Sequence, residues 1–226
     1  MSSPIALERK NIARQLLIKW HQRLAHGRRT ELLGIEIARL MRQFGESLKC
    51  VDVGCGDMQI ADAVAAQLPM SIWSCLDIYP PSPAVFGDPR WRKYVQFDGA
   101  SLPFSDLELD IALFCDVLHH IHDKSRAGLL REAARVADRV IVKDHFEYGF
   151  WSRTTLRAMD FVGNWAYGVS VPDRYFDQES FNATVQAAGL RIESMQIGMR
   201  MYDHLGPLAR IFSENLQFLA VLRRAS

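Results

Sequence analysis

No stretch of the 226-residue sequence is apolar for long enough to cross a membrane, and Ile5-Ala6-Leu7 is too short for the core of a signal peptide. A surplus of charge is missing too: 27 lysines and arginines face 26 acids, for a net charge of +1. That balance gives no global pull towards nucleic acid or an anionic surface. The exception is local, with Arg9, Lys10, Arg14, Lys19, Arg23, Arg28 and Arg29 near the start. Ile12, Leu16, Trp20 and Leu24 recur there at helical spacing, so a helix with a basic polar face is a plainer reading than an RNA-binding arm. Cysteine is sparse, at Cys50, Cys55, Cys75 and Cys115, and no CxxC pair exists, which argues against a structural zinc site. Without an export signal the thiols are expected to stay reduced, as small semi-buried hydrophobes in a soluble, cytoplasmic protein. Repeats, low-complexity tracts and linkers are also absent. With 49% hydrophobic residues the chain supports one sizeable core, hence one domain with an appendage or insertion.

What is present is an alternation of elements. Residues 4–26 and 30–44 read as two helices broken around Gly27. Strands are predicted at 48–53, 71–76, 93–97, 111–115 and 139–143, with helices at 59–67 and 124–137 and a short helical piece after Pro81. Strands alternating with helices imply a parallel sheet with right-handed crossovers. The rhythm breaks at residues 145–176, where Phe146, Tyr148, Phe150, Trp151, Phe161, Trp165, Tyr167, Tyr175 and Phe176 follow no tidy period throughout. That stretch reads as an insertion, although Leu156, Met159 and Val162 are near helical spacing. A helix over 178–188, stopped by Gly189, and strands at 191–197 and 216–222 suggest an antiparallel finish.

The chemistry begins at VDVGCGDM, residues 51–58, where a strand runs into a Gly-x-Gly turn. Glycine without a Cβ lets a ligand lie on the main chain, and open α/β sheets bind ligands at such strand ends. A dinucleotide site wants GxGxxG, and the third small residue is missing from Gly54-Cys55-Gly56-Asp57-Met58-Gln59. Asp52, Asp77, Asp98 and Asp116 stand at four predicted strand ends. So many acids suit a ligand with an ammonium, a sulfonium and a hydroxylated ribose better than a pyrophosphate.

VDVGCGDM, CLDIYP, VQFDGASLPFSDLELDIALFCDVLHHIHD and RVIVKDH together resemble the class I S-adenosylmethionine (SAM)-dependent methyltransferases, in particular small-molecule enzymes akin to quinone-biosynthesis methyltransferases. The resemblance covers residues 48–144 well and the last strands in outline. It implies a Rossmann-like α/β fold: a seven-stranded, mostly parallel sheet with helices on both faces, an antiparallel last strand and an N-terminal helical extension. The chain would then divide into N-terminal helices (1–45), a SAM-binding core (46–144), an insertion roofing the acceptor (145–176) and a C-terminal helix and strands (177–226). Carried over by the resemblance, Asp52, Gly54, Cys55 and Gly56 belong to the loop for the methionine portion of SAM. Asp77 is the ribose acid, Ile78 lies against adenine, and Asp98 and Gly99 meet the adenine edge. Cys115 and Asp116 pass the methionine moiety. Asp57 and Met58 depart from the small residues usual after the second glycine.

An acceptor hydroxyl needs a base, and His119, His120, His122 and His145 are the candidates. His119 and His122 lie one helical turn apart, but the sequence marks no third ligand, so no metal is expected. Tyr148, Trp151, Trp165 and Tyr167 are candidates to grip an apolar or aromatic small-molecule acceptor. A nucleic-acid acceptor is disfavoured by the neutral charge and by the lack of an NPPY-type motif. A non-catalytic SAM-binding protein of the same fold is the other alternative. Monomer and homodimer both stay open.

Overall fold

The computed structural model describes residues 27–81, 87–164, 172, 174–201 and 214–225. Helix α1 (Gly27–Met41) precedes β1 (Lys49–Val53), α2 (Gln59–Gln67), β2 (Ile72–Asp77) and β3 (Tyr94–Gln96). Then come β4 (Leu109–Cys115), α3 (Asp123–Val136), β5 (Ala137–His145), α4 (Phe150–Asn164), α5 (Gln178–Ala187), β6 (Leu190–Ile197) and β7 (Gln217–Arg224). The seven strands form one sheet in the order β3-β2-β1-β4-β5-β7-β6. All pairs are parallel except those of β7, which runs against both β5 and β6. Sequence order reverses between β1 and β4, so the ligand crevice of this fold opens at their carboxyl ends.

Alternation along the strands sorts the core into two layers. Val51, Val53, Ala112, Phe114, Val140 and Val142 face α3 and α5, meeting Leu129, Leu130, Phe181 and Val185. Cys50, Ile111, Leu113 and Ile141 face the other way, against Leu33, Ile37 and Met41 of α1 and Ala61 and Val64 of α2. The central strands therefore read as continuous apolar runs, as buried parallel strands do. Helices α1 and α2 cross closely at Gly34, where a Cβ would lie only 2.6 Å from that of Ala63.

The expected strands and helices lie within a few residues of those observed, with two differences. Helix α1 begins three residues before its expected start, and it is a packing layer on the sheet. The stretch 145–176 contains a regular helix, α4, which its crowded aromatics had hidden. The predicted first helix (4–26), the short helical piece after Pro81, Trp165 and Tyr167 lie outside the described residues. Among the described residues no helix is long and apolar enough to cross a membrane.

Candidate functional site

The turn after β1 is built from glycines in left-handed conformations, Gly54 at φ 77° and Gly56 at φ 53°. A Cβ on Gly54 would come within 2.7 Å of Val117, so the loop lies hard against the segment after β4. At Gly56 the Cβ position meets no atom within 4 Å, which leaves that side open. Asp77, at the end of β2, braces the loop: its carboxylate accepts from the Gly56 amide at 2.8 Å and from the Tyr79 amide at 3.2 Å. Asp52 lies buried with neither carboxylate oxygen hydrogen-bonded. Burial, reinforced by the charge of Asp77, pushes its pKa up to about 7.

The two residues that replace small ones in this loop take structural positions. Met58 is fully buried and left-handed at φ 64°, at the N-cap of α2. Asp57 accepts from the Gln59 amide at 3.3 Å, and its own carbonyl accepts from Arg90. Arg90 and Lys93, on a 3₁₀ turn (Pro89–Lys93), also pair with Asp62 of α2.

Farther along the edge, a Cβ on Gly99 would sit 3.1 Å from Cγ2 of Ile78, so the predicted adenine-side residues are neighbours. The Asp98 carboxylate turns back on its own loop, accepting from the amides of Ala100 and Ser101 at 2.8 and 2.7 Å. Asp116 corrects the picture of an open acidic cleft. Its carboxylate is taken by Lys143 of β5 and by Arg29 of α1, with His145 Nδ1 at 3.3 Å. Burial alone would raise its pKa, but these positive neighbours hold it well below the carboxylate range.

The histidines separate. His122 is exposed and accepts from the Lys124 amide, so its ring caps the start of α3. His119 is buried on the turn Leu118–His120, and its Nδ1 hydrogen-bonds Oδ1 of Asp144. Asp144 also accepts the amide of His119 at 3.2 Å and that of His145 at 2.7 Å. Burial would raise the Asp144 carboxyl, yet His119 and these hydrogen bonds keep it below its ordinary value. The ring of His120 lies 4.1 Å from that of His119, and Tyr175 lies 5.3 Å away on another side. His145 is buried and its pKa is lowered, first by burial and then by the charge of Lys143. His119, Asp144 and His145 bring ligand-type atoms within 4.8 Å of one another. Because His119 Nδ1 and Asp144 are already engaged with each other, we read the trio as a hydrogen-bonded unit and assign no metal.

A groove of about 420 Å³ lies elsewhere, between α1 and the chain after β6, lined by Ile35, Arg39, Gly198 and Glu214 among others. None of the acids or histidines above borders it, so shape alone does not mark the chemistry.

The comparisons agree with this geometry. A family model described as "Methyltransferase domain" matches residues 51–139. That match covers 89 of the 226 residues, the part of the sheet from β1 into β5. Among curated proteins no sequence match is found. Among solved structures, the mitomycin 7-O-methyltransferase MmcR is similar at 21% identity and a TM-score of 0.61, over 87% of this chain and 54% of its own. CalO1, a methyltransferase in calicheamicin biosynthesis solved in its SAH-bound form, has 21% identity and a TM-score of 0.54, over 85% and 54%. YcgJ of Bacillus subtilis has 18% identity and a TM-score of 0.56, over 84% and 98%. At such identities the likeness is one of fold, and the chain spans little more than half the length of the first two.

The residues at these strand ends fit SAM. The unpartnered buried carboxylate of Asp52, the open face at Gly56 and the acid at Asp77 are the features a cationic, ribose-bearing ligand needs. The sequence reading missed Arg29, Arg90, Lys143, Asp144 and Tyr175 as site residues. One signal was available: Lys143-Asp144-His145 ends a strand that is otherwise apolar from Val140 to Val142, and charged residues are seldom fully buried without a purpose.

Proposed function

We propose that this domain transfers a methyl group from SAM to a hydroxyl of a small-molecule acceptor, with His119 as general base and Asp144 orienting it. The observation that carries this reading is the buried His119–Asp144 hydrogen bond at the carboxyl edge of β4 and β5. With Nδ1 donating to Asp144, the basic nitrogen of His119 is Nε2, held in one tautomer and one orientation. The backbone amides of His119 and His145 fix the carboxylate in turn, so the pair is rigid before any acceptor arrives. Nε2 takes the hydroxyl proton as the oxygen forms its new bond, a step worth about 10²–10⁴-fold.

When bound, SAM supplies an electrophilic methyl on a sulfonium. In this reading Asp52, Gly54, Cys55 and Gly56 hold its methionine portion, with Cys115 and Asp116 beside it. Asp77 takes the ribose hydroxyls, and Ile78, Asp98 and Gly99 flank the adenine. Residues 145–176 roof the acceptor. Tyr175 supports that placement, being buried beside His119, and Leu156 of α4 packs with it. Tyr148 and Trp151 are exposed at the start of α4, so they would serve an open rim and not an enclosed wall. MmcR, a mitomycin 7-O-methyltransferase, and CalO1, a methyltransferase in calicheamicin biosynthesis, support a small organic acceptor. The nucleic-acid alternative leans on residues 1–26, outside the described residues.

The test is turnover of SAM with a panel of hydroxylated aromatic compounds, read as S-adenosylhomocysteine and methylated product by mass spectrometry. His119→Ala should retain SAM binding and lose at least about a hundredfold in rate. Full activity in that variant would remove His119 from the chemistry.

A further inference from the structure

On the α1 face of the sheet, apolar side chains give way to polar ones at the carboxyl edge. Ile111, Leu113, Ile141 and Leu219 belong to the core beneath α1. Strand alternation then puts Cys115, Lys143, His145 and Gln217 on that same face. His145 and Gln217 are direct register partners across the β5–β7 pair, which places their Cβ atoms about 5 Å apart. Both are buried, at 4% and 1% exposure. Oε1 of Gln217 has no hydrogen-bond partner, and Nδ1 of His145 makes no well-aligned hydrogen bond.

An unmet polar atom in a buried place is destabilising, and buried polar groups are otherwise almost always paired. His145 Nδ1 has the Asp116 carboxylate at 3.3 Å, whereas Gln217 Oε1 has nothing, and a ligand that donates to it supplies the missing partner. The position also fits: the His145 ring is 5.4 Å from that of His119 and 6.2 Å from that of Tyr175. His145 thus stands beside both His119 and Gln217. Lys143 and Arg29 are both already engaged by Asp116, so a neutral polar group suits the place better than an ion.

We propose that Gln217, flanked by His145, is an acceptor-recognition subsite that takes a second hydroxyl or an amine of the acceptor, distinct from the oxygen that is methylated. This rests on the methyl-transfer reading above. The experiment compares wild type with Gln217→Leu, which removes the unpaired amide oxygen and puts an apolar side chain of similar size in its place. The probes are 1,3-dihydroxynaphthalene and 1-naphthol, titrated calorimetrically in the presence of S-adenosylhomocysteine. Wild type should bind the diol about tenfold more tightly than the mono-alcohol, and the variant should bind the two alike. S-adenosylhomocysteine affinity should be unchanged and the variant's melting temperature equal or higher, since an unmet polar group has gone. A lower melting temperature with weakened S-adenosylhomocysteine binding would make Gln217 structural and overturn the subsite. Equal or absent binding of the two probes by wild type overturns it too. Failure of wild type to methylate any hydroxylated probe while binding SAM sinks the methyl-transfer reading instead.

Discussion

The carboxylate of Asp77 accepts a 2.8 Å hydrogen bond from the amide of Gly56, tying the end of β2 to the glycine turn after β1. One acid thus shapes the loop and, in the proposed complex, holds the ribose. Asp77→Ala should weaken SAM by about 1.5–3 kcal/mol, the range for hydrogen bonds to a charged group, and should also lower the melting temperature of the free protein. Calorimetric titration with unchanged affinity would take Asp77 out of the cofactor site.

Asp144→Asn tests the orienting role. The amide can satisfy His119 in the wrong tautomer, and it no longer favours a protonated imidazole. The expected result is a kcat at least about tenfold lower with little change in KM for SAM. The acid limb of the pH–rate profile should move to lower pH, because the neighbouring negative charge is gone. A uniform loss of activity with an unmoved profile would mean that Asp144 only supports the fold.

The fold was largely legible because period carries it. Strands such as Ile111–Cys115 are apolar on both faces, and the helices between them are amphipathic, so each announces itself locally. Helix α4 did not, since aromatic residues fall on several of its faces and mask its period. The turn after β1 was legible through Gly54 and Gly56, whose left-handed backbone few other residues adopt. The dyad was half legible. His119 was one of four candidate bases, and its partner Asp144 is 25 residues away and meets it only because β5 lies beside β4. Arg29 on Asp116, 87 residues apart, had no local signal at all.

Stability should depend on pH with two opposite slopes. Asp52 has a folded pKa raised to about 7 from 3.8, so the folded state holds its proton more firmly than the unfolded one. Its ionisation therefore costs stability as pH rises between about 4 and 7. Asp116 and Asp144 are depressed, so their contribution is present above the ordinary carboxylate pKa and is lost as pH falls below it. Asp52→Asn should melt close to wild type near pH 4–5 and progressively above it towards pH 8. Parallel melting curves across that range would show that Asp52 is not a buried ionising group.

Gly54 and Gly56 share a left-handed backbone but face different surroundings, and the difference separates folding from binding. A Cβ at Gly54 collides with both methyl carbons of Val117 at 2.7 Å. Val117 is part of the turn that carries His119, so relief there would shift His119 as well. Gly54→Ala should cost about 1–3 kcal/mol from overpacking, in addition to strain at φ 77°, and should lower both the melting temperature and the rate. At Gly56 no atom lies within 4 Å of the added carbon, so only the conformational strain remains, about 1–2 kcal/mol. The methyl would project into the open side of the loop, where SAM is proposed to lie. Gly56→Ala should therefore show the smaller fall in melting temperature and the larger loss of SAM affinity relative to that fall. Thermal melting paired with calorimetric titration reads both quantities on the same samples. If Gly56→Ala binds SAM as wild type does, the cofactor does not rest on this face of the loop.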